Sequence, residues 1–198
     1  MNNVNKKSSF EIIKTHLFHL YTLRSIDIDI EGNLNENDQV IKINFIHFLL
    51  LALVTTLVTF AAYLIRLLLS LKIAKFAVNA FLPYYIALGL IASIILSIIG
   101  GKIYSIFLDI DGLYLGLFYL VLLSTNYIPI IMLLSIFMRD LESIFLICGG
   151  ICADFFLRNS LMRRRRFTDK KDKIYFIVIS MLMNVGAYWF IYPLFFFD

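Results

Sequence analysis

Asp154 and Arg158 stand four residues apart inside an otherwise apolar run, which makes them the first residues to examine for chemistry. An ionisable side chain in a membrane-length segment is a functional candidate by default. On a helix this spacing puts both groups on one face, with the acid on the favourable N-terminal side. Such a pair can act in a proton or substrate relay, or simply satisfy itself. Arg158 lies close enough to the end of the run to extend toward headgroups. No second buried acid is evident elsewhere, so the pair reads first as structural.

A denser charge cluster follows in "LMRRRRFTDKKDKIYF" (161–176), with Arg163, Arg164, Arg165, Arg166, Lys170, Lys171 and Lys173. Nucleic-acid binding would spread bases over a folded surface with aromatics for stacking. Here they are pinned between two apolar runs, which argues against a nucleic-acid partner. They read instead as a topology signal and as a contact for anionic lipids or an acidic partner. Each base near such a surface contributes on the order of 1 kcal/mol.

The remaining reactive types are sparse. His16 and His19 are three apart, but a metal site wants further ligands, and His47 lies in a different segment. "DIDG" (109–112) has the start of a calcium loop without the later ligands, and reads as a turn. Cys148 and Cys152 share a helix face, a spacing unsuited to a disulfide, and read as small packing residues. Signatures such as HExxH, GxSxG, GxxxxGK[ST] and GxGxxG are absent. No catalytic residue, metal or cofactor is therefore assigned.

The elements that must position these residues are membrane helices. The chain of 198 residues is 61% hydrophobic and only 16% charged, whereas soluble domains carry about 25% charged residues. A bilayer crossing needs about 20 apolar residues. Five runs qualify, at about 43–65, 78–100, 113–138, 143–162 and 174–197, giving an all-α bundle of five transmembrane helices. Arg66, Gly101 with Lys102, and Arg139 with Asp140 mark the expected ends of the first three. The third run would reach about 39 Å as a helix, so it should tilt or bend, and Pro129 supplies a cause for a kink. "CGGICADFF" (148–156) sets Gly149 with Ala153 for close helix approach, most simply within the bundle. Asn79, Asn126 and Asn184 read as interhelical hydrogen-bonding residues.

Residues 1–42 form a polar N-terminal segment. Ser8 and Glu11 fit a capping box, and Phe10, Ile13, Leu17, Phe18, Leu20 and Tyr21 recur at helical spacing, predicting a short amphipathic helix over 9–24. Ile26, Ile28 and Ile30 then alternate with acids in a strand-like pattern. Positive charge is lopsided in a five-span arrangement. Five Lys and Arg precede the first run and eight lie in 158–173, against three in the first loop. The positive-inside rule then predicts a cytosolic N-terminus and a lumenal or external C-terminus.

The layout resembles the Yip-interacting-factor family, within the wider Yip group of five-span membrane proteins. The stretch 101–137, "GKIYSIFLDIDGLYLGLFYLVLLSTNYIPIIMLLSIF", is similar to the family's second-to-third span region, with Tyr127 at one of its tyrosines. "ADFFLRNSLMRRRR" (153–166) resembles its fourth-span exit. "IYFIVISMLMNVGAYWFIYPLFF" (174–196) looks like its last span, with Tyr188 and Trp189 as the aromatic pair. The resemblance is that of a divergent member, since "INFIH" (43–47) stands where the group has a DLY-x-P signature. It implies a non-enzymatic protein of the endoplasmic reticulum and Golgi, assisting vesicle transport with a Yip-type multi-span partner and Rab-type GTPases. The surfaces expected to serve partners are the 9–24 helix and the 158–173 loop. The rival expectations are a small transporter or channel subunit, using Asp154, Arg158 and the Asn residues, and a lipid enzyme that would hold phosphate headgroups with the arginine run.

Overall fold

The computed structural model describes residues 8–28, 43–69, 82–108, 115–162 and 170–191. Seven helices run through them: α1 (Ser9–Tyr21), α2 (Phe45–Leu69), α3 (Leu82–Phe107), α4 (Leu115–Ser124), α5 (Ile128–Phe137), α6 (Glu142–Met162) and α7 (Lys170–Gly186). Among the described residues, four stretches are long and apolar enough to cross a membrane: Phe45–Arg66, Ala87–Phe107, Leu115–Phe137 and Glu142–Met162. The expected fifth span is described only as far as residue 191, where α7 continues into a π-helical turn, Ala187–Ile191. The four arginines of the basic run, "DIDG" and Asn79 lie outside the described residues.

Local sequence accounts for the helix ends. Ser8 accepts the Glu11 amide and Glu11 accepts the Ser8 amide, both at 3.2 Å, so the expected capping box starts α1. The helix stops at Tyr21, short of the expected residue 24, in a tight reversal. The Leu23 amide donates to Leu20 O and the Arg24 amide to His19 O, with Leu23 at a φ of 54°. This pairing is the Schellman arrangement, with leucine where glycine is usual. Beyond it the alternation of 26–28 holds, with Ile26 and Ile28 buried and Asp27 exposed. At the start of α2, the His47 amide donates to Asn44 Oδ1 at 2.9 Å and the Asn44 amide to His47 Nδ1 at 3.2 Å, so Asn44 caps the helix with His47 as its reciprocal partner.

Other boundaries also differ from expectation, and α2 runs past Arg66 to Leu69. Gly100, Gly101 and Lys102 do not end α3, which runs on to Phe107. These glycines are notches for α4. A Cβ on Gly100 would sit 2.9 Å from Val121 Cγ1, and one on Gly101 would collide with the Phe118 ring. Lipid tails are as apolar as leucine, so helices in a bilayer associate through close packing and polar contacts, and small residues mark where backbones approach. The third apolar run is not continuous either. A 3-10 turn at Thr125–Tyr127 divides it into α4 and α5, just before Pro129. Proline has no amide to give the Thr125 carbonyl, and the Ile128 amide takes that carbonyl instead.

The divided helix forms the centre. The third stretch is 61% buried and the second only 22%, which makes α4 and α5 the axis and α3 a peripheral helix. α2 packs on α3, α4 and α5; α3 packs on α4; α6 packs on α4, α5 and α7. The glycine pair of α6 serves these internal contacts. A Cβ on Gly150 would lie 2.7 Å from Val185 Cα in α7, and one on Gly149 would strike Ile131. Ala153 is fully buried. At one end of the bundle Arg66 and Glu142 pair at 3.0 Å, joining the end of α2 to the start of α6.

Candidate functional site

Asp154 is 3% exposed, about two turns from the C-terminal end of α6. Its hydrogen-bond partners come from α7, and α3 joins through them. Ser180 on α7 donates to Asp154 Oδ1. Asn184, one turn further along, has its Nδ2 2.6 Å from Tyr104 Oη, 2.9 Å from the Ser180 carbonyl and 3.4 Å from Asp154 Oδ1. Tyr104 comes from the last turn of α3 and shares a 3.0 Å hydrogen bond with Ser180.

The donors in this cluster can be ordered. Ser180 spends its one proton on the carboxylate, so Tyr104 must donate to Ser180. Asn184 then donates to Tyr104. The result is a chain, Asn184 to Tyr104 to Ser180 to Asp154, in which every dipole points toward the acid. Bonds so aligned polarise one another, and the last one is charge-assisted. Arg158 stands further off, 3.9 Å from Oδ2, with its guanidinium 6.0 Å from the Phe155 ring centroid. The sequence pair is therefore real but is the weaker half of the site. Hydroxyls and an amide do most of the work of holding the carboxylate.

A second polar centre surrounds the break before Pro129. The Ser124 carbonyl accepts the Tyr188 hydroxyl at 2.6 Å. The Asn126 carbonyl accepts the Tyr21 hydroxyl at 3.2 Å. The Asn126 side chain reaches Thr55 on α2 at 3.0 Å and the Leu123 carbonyl at 3.1 Å. Tyr127 donates to the Leu20 carbonyl of α1 at 2.6 Å. Nearly two turns before the break, His16 shares a 2.8 Å hydrogen bond with Tyr119. Four elements thus meet where the backbone of the central helix is irregular. Such backbone must find protein partners in a membrane.

The other candidates fall out as follows. His16 and His19 are not brought to further ligands, and no group of three His, Cys, Asp or Glu suited to a metal occurs among the described residues. Cys148 and Cys152 are free thiols. Lys171 and Lys173 are exposed at the start of α7. Sequence reasoning missed Tyr104, Tyr119 and Ser180. A usable signal existed for one of them: Ser180 and Asn184 are spaced i, i+4 within an apolar run, which places them on one face.

No protein-family profile, curated protein or solved structure matches the chain.

Proposed function

We propose that this chain is a non-enzymatic integral membrane protein of the early secretory pathway. It assists vesicle transport between endoplasmic reticulum and Golgi through a Yip-type membrane partner and a Rab-type GTPase. Its N-terminus is cytosolic, its C-terminus lumenal, and its basic 158–173 segment is the partner-facing or lipid-facing edge. The observation that carries the non-enzymatic part is the use of the buried polar groups. Asp154, Tyr104, Ser180 and Asn184 spend their hydrogen bonds on one another across three helices. That is what a scaffold requires. The trafficking role draws on the resemblance over 43–197. Purification from native membranes in mild detergent tests it. A second multi-span Yip-type protein is expected to accompany the chain; a well-folded preparation that never carries one overturns the proposal.

The burial of a carboxylate between three helices favours one rival, a small transporter or channel subunit. Solute or proton flux in liposomes that disappears in Asp154→Asn would select it over the scaffold.

A further inference from the structure

From the course of residues 8–28 we infer that the N-terminal segment is a re-entrant membrane element whose outer face contacts lipid acyl chains. It does not depend on the trafficking role, only on insertion of the bundle in a bilayer.

Three independent observations lead there. The first is depth. α1 runs alongside α4, with His16 bonded to Tyr119 midway along α4, and Leu20 and Tyr21 bonded at Tyr127 and Asn126. Residues 126 and 127 stand at the middle of the Leu115–Phe137 stretch. The chain then turns at Leu23 and comes back: the Ile26 amide donates to Ser160, two residues from the end of α6. Helix in, extended chain out, both on the same side of the bundle, is the course of a re-entrant loop.

The second is the treatment of the helix end. The last carbonyls of a helix have no partner within it and are met by caps, other protein groups or water. Here those of Phe18, His19 and Leu20 all have protein donors: Thr22, Arg24, and Leu23 together with Tyr127. The Thr15 hydroxyl likewise returns to the Glu11 carbonyl. Hydrocarbon demands this internal satisfaction, since an unmet backbone group there costs several kcal/mol.

The third is the outer face. Ile13, His16 and Leu20 face the bundle, while Phe10 and Phe18 are 62% and 57% exposed and Tyr21 and Leu23 also face outward. This matches the exposed leucines and valine of α2, the helix beside it (Leu49, Leu53, Leu57, Val58). Glu11 and Lys14 lie toward the shallow end. Arg24 is the base nearest the deep end, and its long side chain can follow the returning chain outward.

The experiment uses the full chain with Cys148→Ser and Cys152→Ala, reconstituted in phosphatidylcholine vesicles. Single cysteines at Phe18→Cys, Leu53→Cys and Ser8→Cys carry a fluorophore. Phe18→Cys replaces an exposed side chain, and gel filtration confirms that each variant stays monodisperse. Nitroxide lipids labelled deep in the acyl chain are expected to quench the Phe18 probe as strongly as the Leu53 probe, and several-fold more than headgroup-labelled lipids do. A membrane-impermeant maleimide should react several-fold more slowly at residue 18 than at residue 8. Fast aqueous labelling, or dominant headgroup quenching, would overturn the inference in favour of a surface helix. Protection from both water and acyl-chain quenchers would also overturn it, since the face would then be covered by protein.

Discussion

The Asp154 cluster and the break before Pro129 both bury polar groups in an apolar bundle, but by opposite routes. At Asp154 the group needing satisfaction is a charged side chain, and side chains satisfy it. At the break it is the main chain, loosened because proline has no amide to give. There, Tyr188 and Tyr21 cover the carbonyls of Ser124 and Asn126 from elements distant in sequence. The difference concerns what failure would cost. A carboxylate stripped of its donors must remain a poorly paired buried charge or take up a proton, whereas a carbonyl deprived of one donor keeps a neutral dipole and often a second partner.

The largest expected effect tests the charged side. Replacing both Ser180 and Asn184 with Ala leaves Asp154 only the 3.9 Å contact to Arg158. Removing the partners of a buried charge costs about 3–5 kcal/mol, read as a lowered midpoint of unfolding in mixed detergent micelles. Asp154→Asn, which removes the charge and keeps an acceptor, should lose only about 1 kcal/mol. Equal losses in the two variants would break the contrast.

Gly150→Ala comes next. The new methyl would press on Val185 Cα, which is backbone and cannot rotate away. Overpacking of this kind costs about 1–3 kcal/mol. Because α7 also carries Ser180 and Asn184, the damage should be partly non-additive with the Ser180/Asn184 double variant. Full additivity in a double-mutant cycle would mean that the glycine contact and the acid cluster are independent.

On the neutral side, Tyr127→Phe removes one donor from the Leu20 carbonyl, which keeps the Leu23 amide. A loss of about 1 kcal/mol is expected, confined to α1. Amide hydrogen exchange in α1 should rise while α6 and α7 stay protected. Exchange spreading to α6 would show that the break and the acid cluster are a single cooperative unit.

The smallest effect is a gain. Leu23 adopts a left-handed conformation, which costs a side-chain-bearing residue about 1–2 kcal/mol. Leu23→Gly relieves it but frees the unfolded chain, so the net gain should be below about 1 kcal/mol. Slower exchange at the Arg24 amide would register it; faster exchange would mean that the leucine side chain anchors the turn.

Much of the helical layout was legible along the chain, because the signals are local. The Ser8 and Glu11 box spans one turn, the apolar runs are continuous, and Pro129 announces trouble in the long third run. Asp154 with Arg158 was legible for the same reason, being one turn apart. Gly100 and Gly101 misled because a glycine pair can end a helix or admit a neighbour, and the choice rests with Phe118 and Val121 on another helix. Tyr104 gave no sign of its role, since tyrosine in an apolar run is unremarkable until its hydroxyl has a destination. The N-terminal helix was expected to carry one apolar stripe, but a stripe does not say what covers it, and Phe10, Phe18 and Tyr21 of that stripe stay exposed. Here the bundle covers the Ile13, His16 and Leu20 side.

By itself, the sequence determined that the chain forms apolar helices of membrane length, where the caps begin them and where an acid is buried. Those outcomes depend on hydrogen bonds and periodicities within a few residues. Tertiary structure alone decided which polar groups meet. Tyr127 finds the Leu20 carbonyl across 107 positions and Ser180 finds Asp154 across 26. Such meetings depend on how closely glycine notches let the helices approach and in what axial register they stop. The packing of one helix surface against another sets that register, and no single segment contains it.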